Sequence, residues 1–158
     1  MRVRPFLWYT DQAEEAARFY ASVVPNSRVG DVTVMPGDSP SGPEGSVTVV
    51  EFTLAGQEMR AMSAGKLDPF NHAVSFEIEC DTQEEIDRLW DGLMEGGGKA
   101  EECGWLEDRY GLRWQITPRM LNDAMKSPDR EAARRATQAM LKMVKLDIAA
   151  LQKAFDGA

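Results

Sequence analysis

Cysteine is scarce in this chain of 158 residues, which holds only Cys80 and Cys103. Two thiols cannot build the disulfide framework of a small secreted domain. Long apolar runs are missing as well. The longest uncharged stretches fall far short of the ~20 apolar residues that cross a bilayer, so no membrane partner is expected. Near the N-terminus, the apolar run at residues 6–9 has about half the length of a secretory h-region. A cytoplasmic location with both thiols reduced is therefore the expectation. Basic residues are outnumbered, 18 Lys and Arg against 26 Asp and Glu, for a net charge of −8. An acidic chain repels phosphate backbones, so no nucleic-acid partner is expected either.

What is present has the balance of a globular protein, 43% hydrophobic and 28% charged, at the length of one domain. The charge is uneven. Residues 1–117 carry ten basic and 21 acidic side chains, whereas residues 118–158 carry eight and five. A basic tail on an acidic body has two readings: docking on that body or a partner subunit, or ordinary solvated helix charge.

An internal repeat organises the body. Asp11-Gln-Ala-Glu14-Glu-Ala-Ala-Arg-Phe-Tyr20 aligns with Asp81-Thr-Gln-Glu84-Glu-Ile-Asp-Arg-Leu-Trp90 at a constant spacing of 70. Each copy reads as a helix start, with Asp11 or Asp81 as N-cap and Glu14 or Glu84 closing a capping box. Ala16, Phe19, Tyr20 and Val23 follow at helical spacing in one copy, and Ile86, Leu89, Trp90 and Leu93 in the other. Pro25 and the glycines at 96–98 are the stops. Strands are predicted before the helices, at 3–9 and 73–79. Others follow the first helix at 29–35, 47–54 and 57–63, the last two joined by a turn at Ala55-Gly56. After the second helix they fall at 99–103, 105–107 and 112–117. Each half thus reads strand–helix–strand–strand–strand. One helix covers one face of four strands and leaves the other open. Two halves side by side then predict an open, cupped mixed β-barrel with its helices outside.

Residues 119–158 lie outside the repeat and read as a C-terminal helical extension. Ser127-Pro128 suits one helix start. Asp147, with a Leu146–Leu151 staple, suits another. Thr137, Leu141, Val144, Ile148, Leu151 and Phe155 form an apolar seam that loses regularity if the chain breaks at Asp147. The segment at 35–45 holds three Pro and three Gly, and reads as a mobile lid or as a plain surface connection.

Several stretches carry a likeness: Pro5-Phe-Leu-Trp8, Val50-Glu-Phe-Thr-Leu54, Asp81-Thr-Gln-Glu-Glu-Ile-Asp87, Cys103-Gly-Trp-Leu106, Asp108-Arg-Tyr-Gly-Leu-Arg-Trp-Gln115 and Leu146-Asp-Ile-Ala-Ala-Leu151. With the paired modules, they resemble the vicinal oxygen chelate (glyoxalase/bleomycin resistance) superfamily. More narrowly they resemble its PhnB-like branch, whose members carry the description 3-demethylubiquinone-9 3-methyltransferase-like. The resemblance implies an α+β fold of two βαβββ modules, at about 1–66 and 71–118, followed by helices at 119–158. It also implies a cupped pocket and a homodimer.

In metal-dependent members a His or Glu on the first strand of each module and a Glu on the last hold a divalent ion. Carried over by motif, the last-strand position is Gln115, a neutral amide and a poor stand-in for a carboxylate. The second module's first-strand position is Ala73. The only histidine, His72, sits one place earlier, where strand alternation would turn it away from the cavity. The first module offers Arg4 or Pro5, and Ala61 or Met62. No metal and no other cofactor is expected. The methyltransferase description finds no support, because the glycines at 96–98 follow a helix instead of opening one.

The inward-facing candidates are Phe6, Trp8 and Met62 from the first module. From the second they are Ser75, Glu77, Cys103, Trp105, Arg113 and Gln115. Such a wall suits a small, partly apolar ligand, with Arg113 favouring a carboxylate or phosphonate-like group. Trp8 and Trp105 also suit plain core, Arg113 a surface ion pair, and Cys103 a small buried hydrophobe. Asp108 reads as a turn residue. No catalytic residue is identifiable. The leading expectation is a metal-independent pocket protein for a small organic molecule. A metal-dependent lyase, isomerase or dioxygenase with an atypical site is one alternative, and a dimeric interaction module is the other.

Overall fold

The structure is a computed structural model that describes residues 1–158. The chain forms two compact units, residues 1–69 and 70–158.

The first unit runs β1 (Phe6–Tyr9), α1 (Ala13–Val23), β2 (Arg28–Val34), β3 (Thr48–Leu54) and β4 (Gln57–Ser63). Its four-stranded sheet has the order β1-β4-β3-β2, with β1 parallel to β4 and the other pairs antiparallel. Ala13, Ala16 and Ala17 have little side chain, so α1 approaches the sheet closely, while Phe19 and Tyr20 fill the core beside them. Leu7, Tyr9, Val50, Phe52, Leu54, Met59 and Ala61 form the sheet's buried face. Each large side chain so buried contributes roughly 1.5–3 kcal/mol. Ala55 and Gly56 both take positive φ, 48° and 85°, and make the tight hairpin between β3 and β4. The segment 35–45 is tied internally, by mutual backbone bonds between Ser39 and Gly42 and by Glu44 N–H donating to Asp38.

The second unit repeats this plan with β5 (Ser75–Cys80), α2 (Gln83–Met94), β6 (Lys99–Ala100), β7 (Trp105–Glu107) and β8 (Arg113–Pro118). The strand order is β5-β8-β7-β6, again with the first strand parallel to the last. Ile86, Leu89, Trp90 and Leu93 of α2 are buried, as are Leu106, Leu112, Trp114 and Ile116 of the sheet. Asp108 is a buried turn residue. Its carboxylate accepts from the N–H groups of Tyr110 and Leu112 and from the Trp114 indole, fixing the β7–β8 connection. Three helices follow: α3 (Arg119–Lys126), α4 (Arg130–Met140) and α5 (Ile148–Asp156). Leu121, Ala124, Ala136, Leu146 and Leu151 form their core. The tail also bonds to its own module. Cys103 and Gly104 donate backbone N–H groups to the carbonyls of Met143 and Val144, and Gln83 bonds both Leu146 and Ile148.

Several local expectations are corrected. Asp11 does not cap α1; the cap position is Gln12, and the Ala13 N–H is satisfied instead by the Ser63 hydroxyl of β4. The capping box of α2 is formed by Thr82 and Glu85, not Asp81 and Glu84. Asp81 instead pairs with Arg119 at 2.7 Å. Ser127 ends α3, and α4 is capped by Asp129, because Pro128 separates the two helices. Asp147 does cap α5. The seam across residues 137–155 is broken by the loop between α4 and α5, which leaves Leu141 and Val144 exposed. Strands β1 and β5 begin later than expected, at Phe6 and Ser75, so Ala73 and His72 belong to a turn.

Candidate functional site

The pairing registers make the two modules comparable residue by residue. In the first, Phe6 pairs with Arg60, which pairs with Glu51; in the second, Ser75 pairs with Arg113, which pairs with Glu107. Two places further along, Trp8 lies beside Met62, and Glu77 beside Gln115. All of these side chains alternate with the buried, helix-facing ones, so they occupy the open face of each sheet.

On the first unit's open face, Arg60 reaches Glu51 at 3.3 Å, and its guanidinium lies 5.2 Å from the Phe6 ring centre. The Trp8 indole donates to the Gly65 carbonyl at 2.8 Å. Met62 is half-buried beside it, whereas Ala61 is buried on the helix side.

On the second unit's open face, Gln115 donates to the Ser75 hydroxyl at 2.9 Å. Arg113 is neutralised: Glu107 takes its Nη2 at 2.5 Å and Glu101 lies 3.5 Å from its Nε. Of the two readings of Arg113, the geometry matches the ion pair and not a free cation for an anionic ligand. Glu101 also holds His72, at 2.9 Å from Nε2, and the imidazole lies 6.0 Å from the Trp105 ring. His72 therefore does not point away as a strand residue would, because it is in a turn and strand alternation does not govern it.

The tail overlies part of this face and leaves a hollow of about 260 Å³. Glu77, Gln115 and Thr117 form its sheet side, and Cys103 and Trp105 its end. Leu121, Asn122, Met125, Met140 and Leu146 close it from the tail. Four of the expected residues, Glu77, Cys103, Trp105 and Gln115, thus share one hollow. Arg113 and Ser75 lie beside it without lining it.

Two groups in the hollow are weakly held or unbonded within the chain. Thr117 is 9% exposed and its hydroxyl makes no hydrogen bond. Glu77 makes no ion pair and receives only a long bond, 3.4 Å, from Asn122. Its neighbour Glu79 is held by Asn122 at 2.8 Å and by Arg119 at 3.3 Å. Cys103 adopts φ 60° and Gly104 φ 82° in a tight turn closed by Trp105 N–H donating to the Glu102 carbonyl. A Cβ on Gly104 would stand 2.9 Å from Leu146 and 3.0 Å from the Ile116 carbonyl, so glycine is what lets the tail come this close. The other thiol, Cys80, is buried away from the hollow, and burial together with Glu85 and Asp81 pushes it up to about 11. It is inert at neutral pH.

The residues do not fit a divalent metal. Gln115 and Met62 occupy equivalent last-strand positions, and no three His, Cys, Asp or Glu side chains converge anywhere. Structural and catalytic sites for such ions use about three or four protein donors.

Strand alternation turns Thr117 to the same face as Arg113 and Gln115, and Met140 reads in the sequence as packing filler, but nothing in the sequence singles out Asn122 or Met125. Leu121 and Met125 do share one face of α3 at a spacing of four, the periodic signal of a packed stripe. Nothing in that spacing says which sheet face the stripe covers.

Two modules with this strand order, each pairing its first strand with its last, define a protein of the glyoxalase/bleomycin-resistance class. Solved structures of that class are similar. The fosfomycin resistance protein FosX of Listeria monocytogenes is 15% identical with a TM-score of 0.58, over 80% of this chain and 98% of its own. FosX of Mesorhizobium loti is 13% identical with a TM-score of 0.57, over 80% and 98%. The PhnB protein of Bacillus cereus is 31% identical with a TM-score of 0.65, over 75% of this chain and 99% of its own. The profile of the family described as 3-demethylubiquinone-9 3-methyltransferase matches residues 1–117. The chain belongs to that family. No curated protein matches it.

Proposed function

We propose that this PhnB-like protein binds a small, partly apolar organic molecule in the hollow of its second unit, without the divalent metal of the wider superfamily. The carrying observation is the half-open hollow itself, where the Thr117 hydroxyl, which bonds nothing within the chain, stands beside Glu77, Gln115 and an apolar wall. A ligand's polar atom that replaces water on this hydroxyl would contribute about 0.5–1.5 kcal/mol net. Trp105, Met125 and Met140 supply adaptable apolar walls around it. Metal independence is supported by the donor chemistry, with an amide and a thioether where carboxylates would be needed. The methyltransferase description gains no support, since Gly96 and Gly97, both at positive φ, terminate α2 and cradle no helix N-terminus. A cytoplasmic homodimer completes the proposal and rests on the family likeness and composition.

Native mass spectrometry of freshly purified protein, with elemental analysis after dialysis, tests both halves. The expected result is a co-purifying small molecule whose retention falls in Thr117→Val, and divalent metal well below one per chain. Retention unaffected by Thr117→Val would count against the hollow. Near-stoichiometric metal surviving dialysis would end the metal-free reading.

A further inference from the structure

The charge around the hollow specifies what kind of molecule it takes. On the open face of the second sheet, each carboxylate but one has a cation: Glu79 has Arg119, Glu107 has Lys99 and Arg113, and Glu101 has Arg113 and His72. Glu77 has none. It is also the only charged residue lining the hollow. The nearby cation that would favour an anion, Arg113, is committed to two glutamates and outside the lining. An indole and two thioethers stand with Glu77, and both are soft surfaces that favour cations and apolar groups.

We infer that the hollow selects organic cations, namely amines or ammonium compounds with a compact apolar or aromatic body, and discriminates against carboxylates and phosphonates. The ammonium group is placed at Glu77 and the body against Trp105 and the methionines, with Thr117 and Gln115 available for further polar atoms. This rests on the binding reading above and adds the ligand's charge.

Isothermal titration with three probes of one shape tests it: 2-phenylethylammonium, 2-phenylethanol and 3-phenylpropanoate. The ammonium is expected to bind about tenfold tighter than the alcohol, as a charge-assisted hydrogen bond at a half-open site provides. The carboxylate should bind weakest. Glu77→Gln, an exposed and isosteric change, should remove the ammonium's advantage and leave the alcohol unaffected. Trp105→Ala should weaken ammonium and alcohol alike. Equal or tighter binding of the carboxylate, or an ammonium preference that survives Glu77→Gln, would overturn the charge selection and leave the hollow as a neutral binding site. Failure of all three probes to bind would overturn both.

Discussion

Gly104 shows how one residue fixes the site. Its positive φ suits glycine, and its missing side chain admits Leu146. Gly104→Ala should therefore destabilise by about 2–3 kcal/mol, combining backbone strain with a steric clash. Gly56→Ala is the natural comparison, since Gly56 has a similar φ of 85° and nothing within 4 Å of its Cβ position. It should cost about 1 kcal/mol. Urea denaturation of both variants separates the two effects, and equal losses would show that Leu146 does not press on this turn. Such detail was partly legible. The sequence marked Cys103-Gly104-Trp105 as a unit and Asp108 as a turn residue. It placed two helix caps one residue early: Thr82, next to Asp81, is itself a good cap and takes the role, whereas Gln12, next to Asp11, makes no side-chain cap bond and the helix start is held by Ser63 instead. Ser63, the partner of Ala13, comes from a strand 50 residues away and could not be read locally.

Among elements, the attachment of the tail to α2 carries a pH signature. Lys145 reaches Asp87 at 2.9 Å. Hydrogen bonds from Lys145, then Gln83, lower the Asp87 carboxyl below its ordinary 3.8, and the bond to Asp87 raises Lys145 above its ordinary 10.5. A carboxyl lowered in the folded state stabilises above its unfolded value and loses that contribution as pH falls through its folded value. A raised lysine stabilises below its unfolded value and loses it as pH rises through the folded one. The stability difference between wild type and Lys145→Met should thus be present at pH 7 and vanish on acidification below 3.8. Thermal melts across that range read it, and a difference unchanged at pH 2 would refute the pairing. Helices and strands were the most legible level, since the period of α2 and the alternation of β8 both survive in the structure. The tail was less so. Its seam residues were apolar and regularly spaced, yet a loop interrupts them and Leu146 packs into the core from outside the helices.

At the level of the whole molecule, the repeat told the architecture in advance because both modules solve the same burial problem with the same strand order. The residue types at the chelating positions could be read by motif alignment alone, without any geometry. The hollow was not, because it exists only where a segment outside the repeat folds over one module. A chain ending at residue 118 should retain the family core, as the Bacillus cereus relative is matched over 99% of its own length by 75% of this chain. It should melt lower and fail to bind 2-phenylethylammonium, by circular dichroism and calorimetry. Binding undiminished in that truncated form would move the site elsewhere.

The helices α3 to α5 have no counterpart in the first unit. A duplicated protein starts with two equal vacancies, and an appendage on one copy breaks that parity. With the proposed binding in the second unit, saturation at a single molecule per polypeptide is the expected outcome of the titration. The other half is then released to drift toward a separate role, with no selection left to keep its residues matched to its twin.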